Sequence, residues 1–192
     1  HARQWYDPKA GGGYAPVHVP LSPELIRVHL EGAETLGVYL VRHGDEVGQI
    51  AFDLDATKRA VEHAFGHRER VEDLQHRIHQ AGLAMRDRLR EAGFDPLLVD
   101  SGYKGRHLWC FFPEPERAAA ARALGTAWAR VVHPRDPALS VEVFPKQDRV
   151  PPGGLGNLIK LPLGIHLRTG RRCCVLDEAG QPVEDPWPVL RA

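Results

Sequence analysis

The sequence predicts an α+β fold whose elements follow the order β-α-β-β-α-β. Two observations predict it: short apolar runs that end at turn residues, and two long stretches with apolar residues at helical spacing. The chain has 192 residues, is 43% hydrophobic and 26% charged, and has a formal net charge of +0. This composition is ordinary for one globular domain. Because no apolar stretch approaches the ~18–20 residues that span a bilayer, no membrane partner is expected.

Residues 1–46 are expected to form an arm and a first hairpin that belong to the same module as the rest of the chain. Residues 5–20 are rich in Gly and Pro, which predicts an irregular and mostly extended arm. Ser22 and Pro23 then predict a helix start, with Ser22 as the N-cap and Pro23 at the first helical position. We expect this helix to run to about His29.

Two apolar runs, residues 37–41 and 47–55, flank a loop that contains glycine, which predicts a hairpin. The second run opens the central part of the chain, residues 47–144. Its further elements are expected in the order helix (Leu74, Ile78, Ala81, Met85 and Leu89 on one face), strand 97–100, turn 101–106, strand 107–112, helix 114–132 and strand 139–144. The order is that of an RRM/ferredoxin-like unit. Right-handed crossovers would place its first strand at the centre of the sheet, between the third and the fourth.

Acidic side chains alternate with apolar ones at the end of the first central strand. Asp53 and Asp55 share one face of this strand, and the same parity brings His107 and Glu142 to that face from the neighbouring strands. Neighbouring carboxylates repel one another unless a cation or proton holds them, and Mg²⁺ prefers oxygen ligands. The pattern predicts a site for two Mg²⁺ or Mn²⁺ ions. A pair of aspartates alone would more often be a solvated acidic turn.

The turn before His107 has the composition of an anion site. It offers a hydroxyl from Ser101, positive charges from Lys104 and Arg106, and backbone N–H groups that the glycines at 102 and 105 would leave free. The alternative for His107 is a half-buried histidine of the sheet.

Residues 145–192 are expected to form a C-terminal extension that binds nucleotide or template. A glycine-rich loop with Asn157 leads into a strand with Lys160, and basic residues follow from His166 to Arg172. A glycine-rich hairpin with solvated basic side chains would be the structural alternative.

Cysteine use excludes two classes of site. Cys110 stands alone and Cys173 is adjacent to Cys174, so there is neither a C-x-x-C zinc spacing nor a disulfide framework. This usage fits a reducing cytoplasm. The chain begins with His1, and we expect it to be the catalytic core of a longer protein.

Four segments together resemble the archaeo-eukaryotic primase superfamily. They are FDLD at 52–55, SGYKGRHLW at 101–109, VEVFPKQ at 141–147 and GNLIKLPLG at 156–164. The sequence looks closest to the primase-polymerase domains associated with CRISPR loci and with TOTE conflict systems. The resemblance implies that the RRM-like unit is the palm of a primase catalytic core, with β-rich extensions at both ends.

The resemblance also implies template-directed synthesis of DNA or RNA by two-metal nucleotidyl transfer with pyrophosphate release. Asp53, Asp55 and Glu142 match the metal-binding and catalytic acids of the family. His107, with Ser101, matches the triphosphate contact of the family, and Lys160 matches a basic residue near the incoming nucleotide. Together with the residues of the turn and of the C-terminal extension, the expected nucleotide-binding residues are Ser101, Lys104, Arg106, His107, Lys146, Asn157, Lys160 and His166. The implied partners are nucleoside triphosphates, a single-stranded DNA or RNA template with its primer, and CRISPR adaptation proteins or other domains of a longer chain. Many relatives carry a zinc-binding cysteine cluster or a helical accessory domain that supports priming, and neither is visible in this sequence. We therefore expect extension of a primer rather than priming without one.

Two other functions use the same strand order. An RRM-type module would bind single-stranded nucleic acid without catalysis and would stack bases on Trp109 and Phe111. Acidic residues on its binding face argue against it, since they repel phosphate. A nucleotide cyclase or a related palm enzyme would share the sheet and the metals but need no template.

Overall fold

Two four-stranded antiparallel sheets form the framework of the computed structural model, which describes residues 1–191. The strands are β1 (Ala2–Asp7), β2 (Gly11–Pro16), β3 (Leu36–Tyr39), β4 (Glu46–Ala56), β5 (Leu97–Asp100), β6 (Gly105–Arg117), β7 (Leu139–Phe144) and β8 (Leu158–Lys160). The helices are α1 (Pro23–Glu31), α2 (Lys58–Ala64), α3 (Arg68–Glu91), α4 (Ala118–Val132) and α5 (Trp187–Arg191). The α+β class is confirmed. Within residues 1–191 no helix is long and apolar enough to cross a membrane.

The palm sheet has the strand order β5-β6-β4-β7, so β4 lies at the centre as predicted. Asp53 of β4 pairs in register with His107 of β6 on one side and with Glu142 of β7 on the other. Residues that pair across neighbouring strands point to the same face. The three side chains therefore face the same side of the sheet, and Asp55 shares it.

Both long helices cover the opposite face of the palm sheet. Phe52 and Leu54 of β4 and Leu108 of β6 are at most 1% exposed. Ile78 and Met85 of α3 are equally buried in the same core. Full burial of each such side chain contributes about 1.5–3 kcal/mol. This packing fixes which face of the sheet remains for the site.

The N-terminal sheet, with the order β2-β1-β3-β8, joins the first three strands of the chain to the last one, β8. The predicted hairpin between residues 37–41 and 47–55 is wrong, because β3 pairs with β1 and with β8 instead of β4. Among residues 1–191, the loop between the two runs is closed by a single isolated bridge between Arg42 and Glu46. The alternation of apolar residues indicates a strand but does not name its partner. The expected irregular arm is likewise a regular hairpin of β1 and β2.

Helix α4 begins at Ala118, four residues later than predicted, because β6 continues through Arg117. Pro113 and Pro115 lie in this segment. A proline pushes the preceding residue out of the helical region towards extended backbone. Arg117 and Glu116 pair with the start of β4, so the segment extends the sheet.

Candidate active site

A cavity of about 560 Å³ lies between the open face of the palm sheet and the N-terminal sheet. Ten of the residues predicted for the site line it: Asp53, Asp55, Ser101, Lys104, His107, Glu142, Lys146, Asn157, Lys160 and His166. The rest of the lining consists of residues that were not among the predicted site residues: Gln4, Tyr14, Tyr39, Tyr103, Phe144, Gly156, Leu158 and Ile159.

Two carboxyl groups of the cavity, those of Asp53 and Asp55, have raised pKa values. Burial raises the pKa of Asp53 to about 6, and the negative charge of Glu142 adds to the rise. Burial and the charge of Asp53 raise the pKa of Asp55 to about 6 as well. Burial and a neighbouring negative charge both disfavour the ionised form of a carboxyl group. A bound cation would stabilise the ionised form against both effects.

Lysine side chains provide the nearest positive charges. The Lys104 ammonium pairs with Asp55 and donates to the Ala56 carbonyl at 3.1 Å. The Lys146 ammonium donates to Glu142 Oε2 at 2.7 Å. Each of these two carboxylates thus has a lysine as its counter-ion.

His107 stands beside the central carboxylate. Its Nε2 lies 3.5 Å from Asp53 Oδ1, and the residue is 6% exposed. Burial lowers the pKa of His107 to about 4, and the nearby charge of Lys160 contributes. The imidazole is therefore neutral at physiological pH and can donate one N–H or accept one hydrogen bond.

The turn at residues 101–105 is closed by its own hydrogen bonds. Gly102 N–H donates to Asp100 Oδ1 at 2.7 Å, and Gly105 N–H donates to Ser101 Oγ at 3.2 Å. The expectation that these N–H groups are free for an anion is wrong, because the side chains of Asp100 and Ser101 accept hydrogen bonds from them. What the turn presents to the cavity is the side chains of Ser101, Tyr103 and Lys104.

Lys160 stabilises the turn at residues 101–105 through hydrogen bonds of its ammonium group. Its ammonium donates to the Ser101 carbonyl and to Cys173 Sγ, the latter at 2.9 Å, and the residue is 7% exposed. These contacts connect β8 to the turn between β5 and β6. Lys160 lies at the cavity wall, but its charge is partly engaged by the protein itself.

Arg106 does not reach the cavity. It follows the parity of Leu108, so its side chain lies on the helix-covered face, against Gly82 of α3. There its guanidinium pairs with Asp100 Oδ2 at 3.2 Å. The expectation that Arg106 and His107 act together is wrong, because adjacent residues of a strand point to opposite faces.

Asn157 and His166, the remaining predicted site residues, also line the cavity. Asn157 N–H donates to the Gln147 side chain at 2.8 Å. Burial lowers the pKa of His166 to about 4, with Lys160 contributing. The ring of His166 lies 5.2 Å from that of Tyr103.

A comparison with protein families decides the relationship. A sequence model of the archaeo-eukaryotic primase domain of the TOTE conflict system matches residues 1–192. The chain belongs to this family. Membership in the archaeo-eukaryotic primase family supports nucleotidyl transfer as the general activity.

Other comparisons add little to the family assignment. Among solved structures, the polymerase domain of Mycobacterium tuberculosis Ligase D in complex with DNA matches with a TM-score of 0.36 and 17% identity. The match covers 94% of this chain and 47% of that one, so the chain spans about half of its length. No curated protein matches the chain significantly.

Archaeo-eukaryotic primase domains generally use divalent metals. The donors of this primase domain suit such ions, because Asp53, Asp55 and Glu142 offer only carboxylate oxygens on adjacent strands. In the arrangement seen, no three His, Cys, Asp or Glu side chains of residues 1–191 converge into a ready-made ligand set. Lys104 and Lys146 hold two of the carboxylates, so these would have to turn away from the lysines to share an ion.

Two site residues of the primase domain come from the N-terminal hairpin. Gln4 of β1 and Tyr14 of β2 pair in register and line the cavity. Burial raises the pKa of Tyr14, and the phenol stays protonated. The sequence predicted neither this hairpin nor its position over the palm sheet, because residues 5–20 were expected to form an irregular arm.

Proposed function

We propose that the chain is the catalytic core of a template-directed primase-polymerase. It would add nucleotides from nucleoside triphosphates to a primer on a single-stranded DNA or RNA template and release pyrophosphate. The observation that carries the proposal is the group Asp53, Asp55 and Glu142, which faces a 560 Å³ cavity together with three lysines. A cavity of this size admits a nucleotide-sized ligand.

In this proposal the three carboxylates hold two divalent ions. The ions would neutralise the triphosphate and help to deprotonate the attacking primer hydroxyl. The protein's own contribution is positioning, because Asp53 lies between its two partners at the centre of a rigid sheet.

The lysines have a second task in the proposed reaction. Lys104 and Lys146 pair with Asp55 and Glu142 when nothing else is bound. If Asp55 and Glu142 held cations instead, both ammonium groups would be free to bind phosphate oxygens. Charge-assisted contacts of this kind are stronger than neutral hydrogen bonds. In this proposal Lys104 and Lys146 exchange their carboxylate partners for phosphate groups. The net charge of the cavity would therefore stay close to zero before and after substrate binds.

Neutral His107 would position the Asp53 carboxylate or donate to a phosphate oxygen. Its ring is fixed by burial and edge contact with Trp109, whose centroid lies 6.5 Å away. A fixed donor loses little conformational entropy on binding.

A primer-extension assay with a labelled primer tests the proposal. Wild-type protein should extend the primer with Mg²⁺ or Mn²⁺ and should stop when EDTA is added. Asp53→Asn and Asp55→Asn should each lower the rate at least about 100-fold, since they remove metal ligands and keep the side-chain shape. Asp73→Asn is the matched control, because Asp73 is an exposed partner of Arg77 on α3. Full extension by the two site variants would disprove the proposal.

The structure disfavours the RRM-type alternative. Such a module needs aromatic rings on an open sheet face. Trp109, one of its two expected stacking residues, is only 2% exposed, although Phe111 is 61% exposed. The N-terminal sheet also contributes a wall over this face of the palm sheet.

A further inference from the structure

A smaller cleft of about 220 Å³ opens beside the catalytic cavity, and we call it the hairpin cleft. Its walls are Tyr6 and Gly12 of the N-terminal hairpin on one side and Tyr103 and Arg168 on the other. Gln4, Tyr14, Tyr103 and His166 line both the cleft and the catalytic cavity. The two spaces therefore adjoin one another.

The first wall owes its shape to a glycine. Tyr6 pairs in register with Gly12, and a Cβ added at Gly12 would lie 3.1 Å from Tyr6 Cδ2. The Tyr6 ring thus leans over a strand position that has no side chain. Tyr6 has the same parity as Gln4, which lines the catalytic cavity, so the ring is on the inner side of the hairpin. The Tyr6 ring therefore borders the cleft at a position where the paired residue, Gly12, has no side chain.

The second wall combines aromatic and positive groups. The guanidinium carbon of Arg168 lies 5.0 Å from the centre of the Tyr103 ring. A planar guanidinium stacks on aromatic rings and also attracts phosphate.

Both walls are held in place by hydrogen bonds. Thr169 Oγ1 donates to the Gly102 carbonyl at 2.7 Å, and Gly170 N–H donates to the His166 carbonyl at 2.8 Å. Leu167 N–H donates to the Gln4 side chain at 3.2 Å, which joins the Arg168 loop to β1. A cleft with fixed walls loses little entropy when it takes up a ligand.

We propose that the hairpin cleft binds a nucleobase, which stacks against Tyr6 and the Tyr103–Arg168 pair. Its volume is below the ~300–1,000 Å³ of a pocket for a drug-sized molecule, so it suits one planar ring system. Aromatic rings beside a positive charge are the means by which proteins bind single strands without reading their sequence. The proposal rests on the proposed function, since that function brings bases to the adjoining cavity. The base belongs either to the nucleic-acid strand or to a free nucleoside triphosphate.

Equilibrium binding in EDTA tests the cleft without any need for catalysis. A short labelled single strand is titrated with wild type, Tyr6→Ala and Tyr6→Phe, and the titration is repeated with an abasic strand of the same length. Nucleoside triphosphate binding is measured by calorimetry with the same variants. Tyr6→Ala should weaken the base-containing ligand about 5-fold to 20-fold, whereas Tyr6→Phe, which keeps the ring, should stay near wild type. The ligand whose affinity falls identifies the source of the base.

Controls keep the proposal falsifiable. Phe65→Ala removes an exposed ring far from the cleft along the chain and should not change the affinity. Equal losses for Tyr6→Ala and Tyr6→Phe would overturn the proposal, as would equal loss on the abasic strand or no loss for either ligand. Base-dependent binding by a protein that extends no primer would refute the proposed function and leave the cleft standing. Primer extension with an unaffected Tyr6→Ala variant would refute the cleft alone.

Discussion

Removing one carboxylate from the active site should stabilise the protein in the absence of metal. The perturbation is Asp53→Asn, which deletes the charge at the centre of the acidic group and keeps the side-chain shape. Burial and Glu142 raise the pKa of Asp53 from 3.8 to about 6. At about 1.4 kcal/mol for each pKa unit, ionising this group in the folded protein costs about 3 kcal/mol. The Asp53 side chain keeps 22% of its exposure, so solvent screening lowers our expectation to about 1–2 kcal/mol.

The assay is thermal unfolding in EDTA at about pH 7.5. A gain of about 1–2 kcal/mol raises the midpoint by about 2–8 °C in a chain of this size. Because the folded-state pKa is raised, the cost is absent below about pH 4, grows as the pH rises through about 6 and then stays constant. The variant and the wild type should therefore converge near pH 4. Divalent cations should stabilise the wild type more than the variant.

Asp73→Asn is again the control, and it should change stability by less than about 0.5 kcal/mol because its ion pair is exposed. A lower midpoint for Asp53→Asn than for wild type at about pH 7.5 would refute the reasoning. It would mean that favourable contacts of the carboxylate outweigh its burial and the repulsion from Glu142.

Three further predictions concern stability, nucleotide binding and primer extension. His29→Gln should lower the free energy of unfolding by about 1–3 kcal/mol, because the buried ring bonds Leu36 N–H and the Pro162 carbonyl. Burial lowers the pKa of His29, so in urea titrations its contribution should be full above about pH 6.5 and shrink as the pH falls. Lys160→Ala should raise KM for nucleotide about 10-fold by loosening the turn at Ser101; an unchanged KM with lower stability would leave Lys160 a structural role only. Gly105→Ala should lower primer extension at least about 10-fold, since its methyl group would overlap the Asp55 carboxylate, whereas the control Gly48→Ala meets only the flexible end of Arg42.

Much of the palm could be predicted because its rules are local. Asp53, His107 and Glu142 were expected on one face from strand alternation and the right-handed crossover, and the register places them side by side. The same rule would have placed Arg106 on the helix side. The positive charge of Arg106 suggests an anion ligand, but charge alone does not indicate which face of the strand a side chain occupies.

Other parts of the site depend on contacts that a single segment does not encode. Gln4 and Tyr14 lie in the hairpin of β1 and β2. They reach the cavity because β3 pairs with β1 on one side and with β8, a strand distant in sequence, on the other. The N–H groups of Gly102 and Gly105 are engaged because the side chains of Asp100 and Ser101 fold back onto them. Several arrangements of short polar turns are close in energy, and the surrounding packing selects one of them.

The α+β class, the order of the palm strands and the shared face of the acidic residues could be predicted from the amino-acid sequence alone. These follow from periodicity and chirality, which act within one or two elements. Only the tertiary structure decided that the N-terminal hairpin walls the cavity, that Lys160 supports the Ser101 turn and that Tyr6 borders a second cleft. Such placements depend on pairing and burial between distant segments, and their free energy belongs to the whole fold.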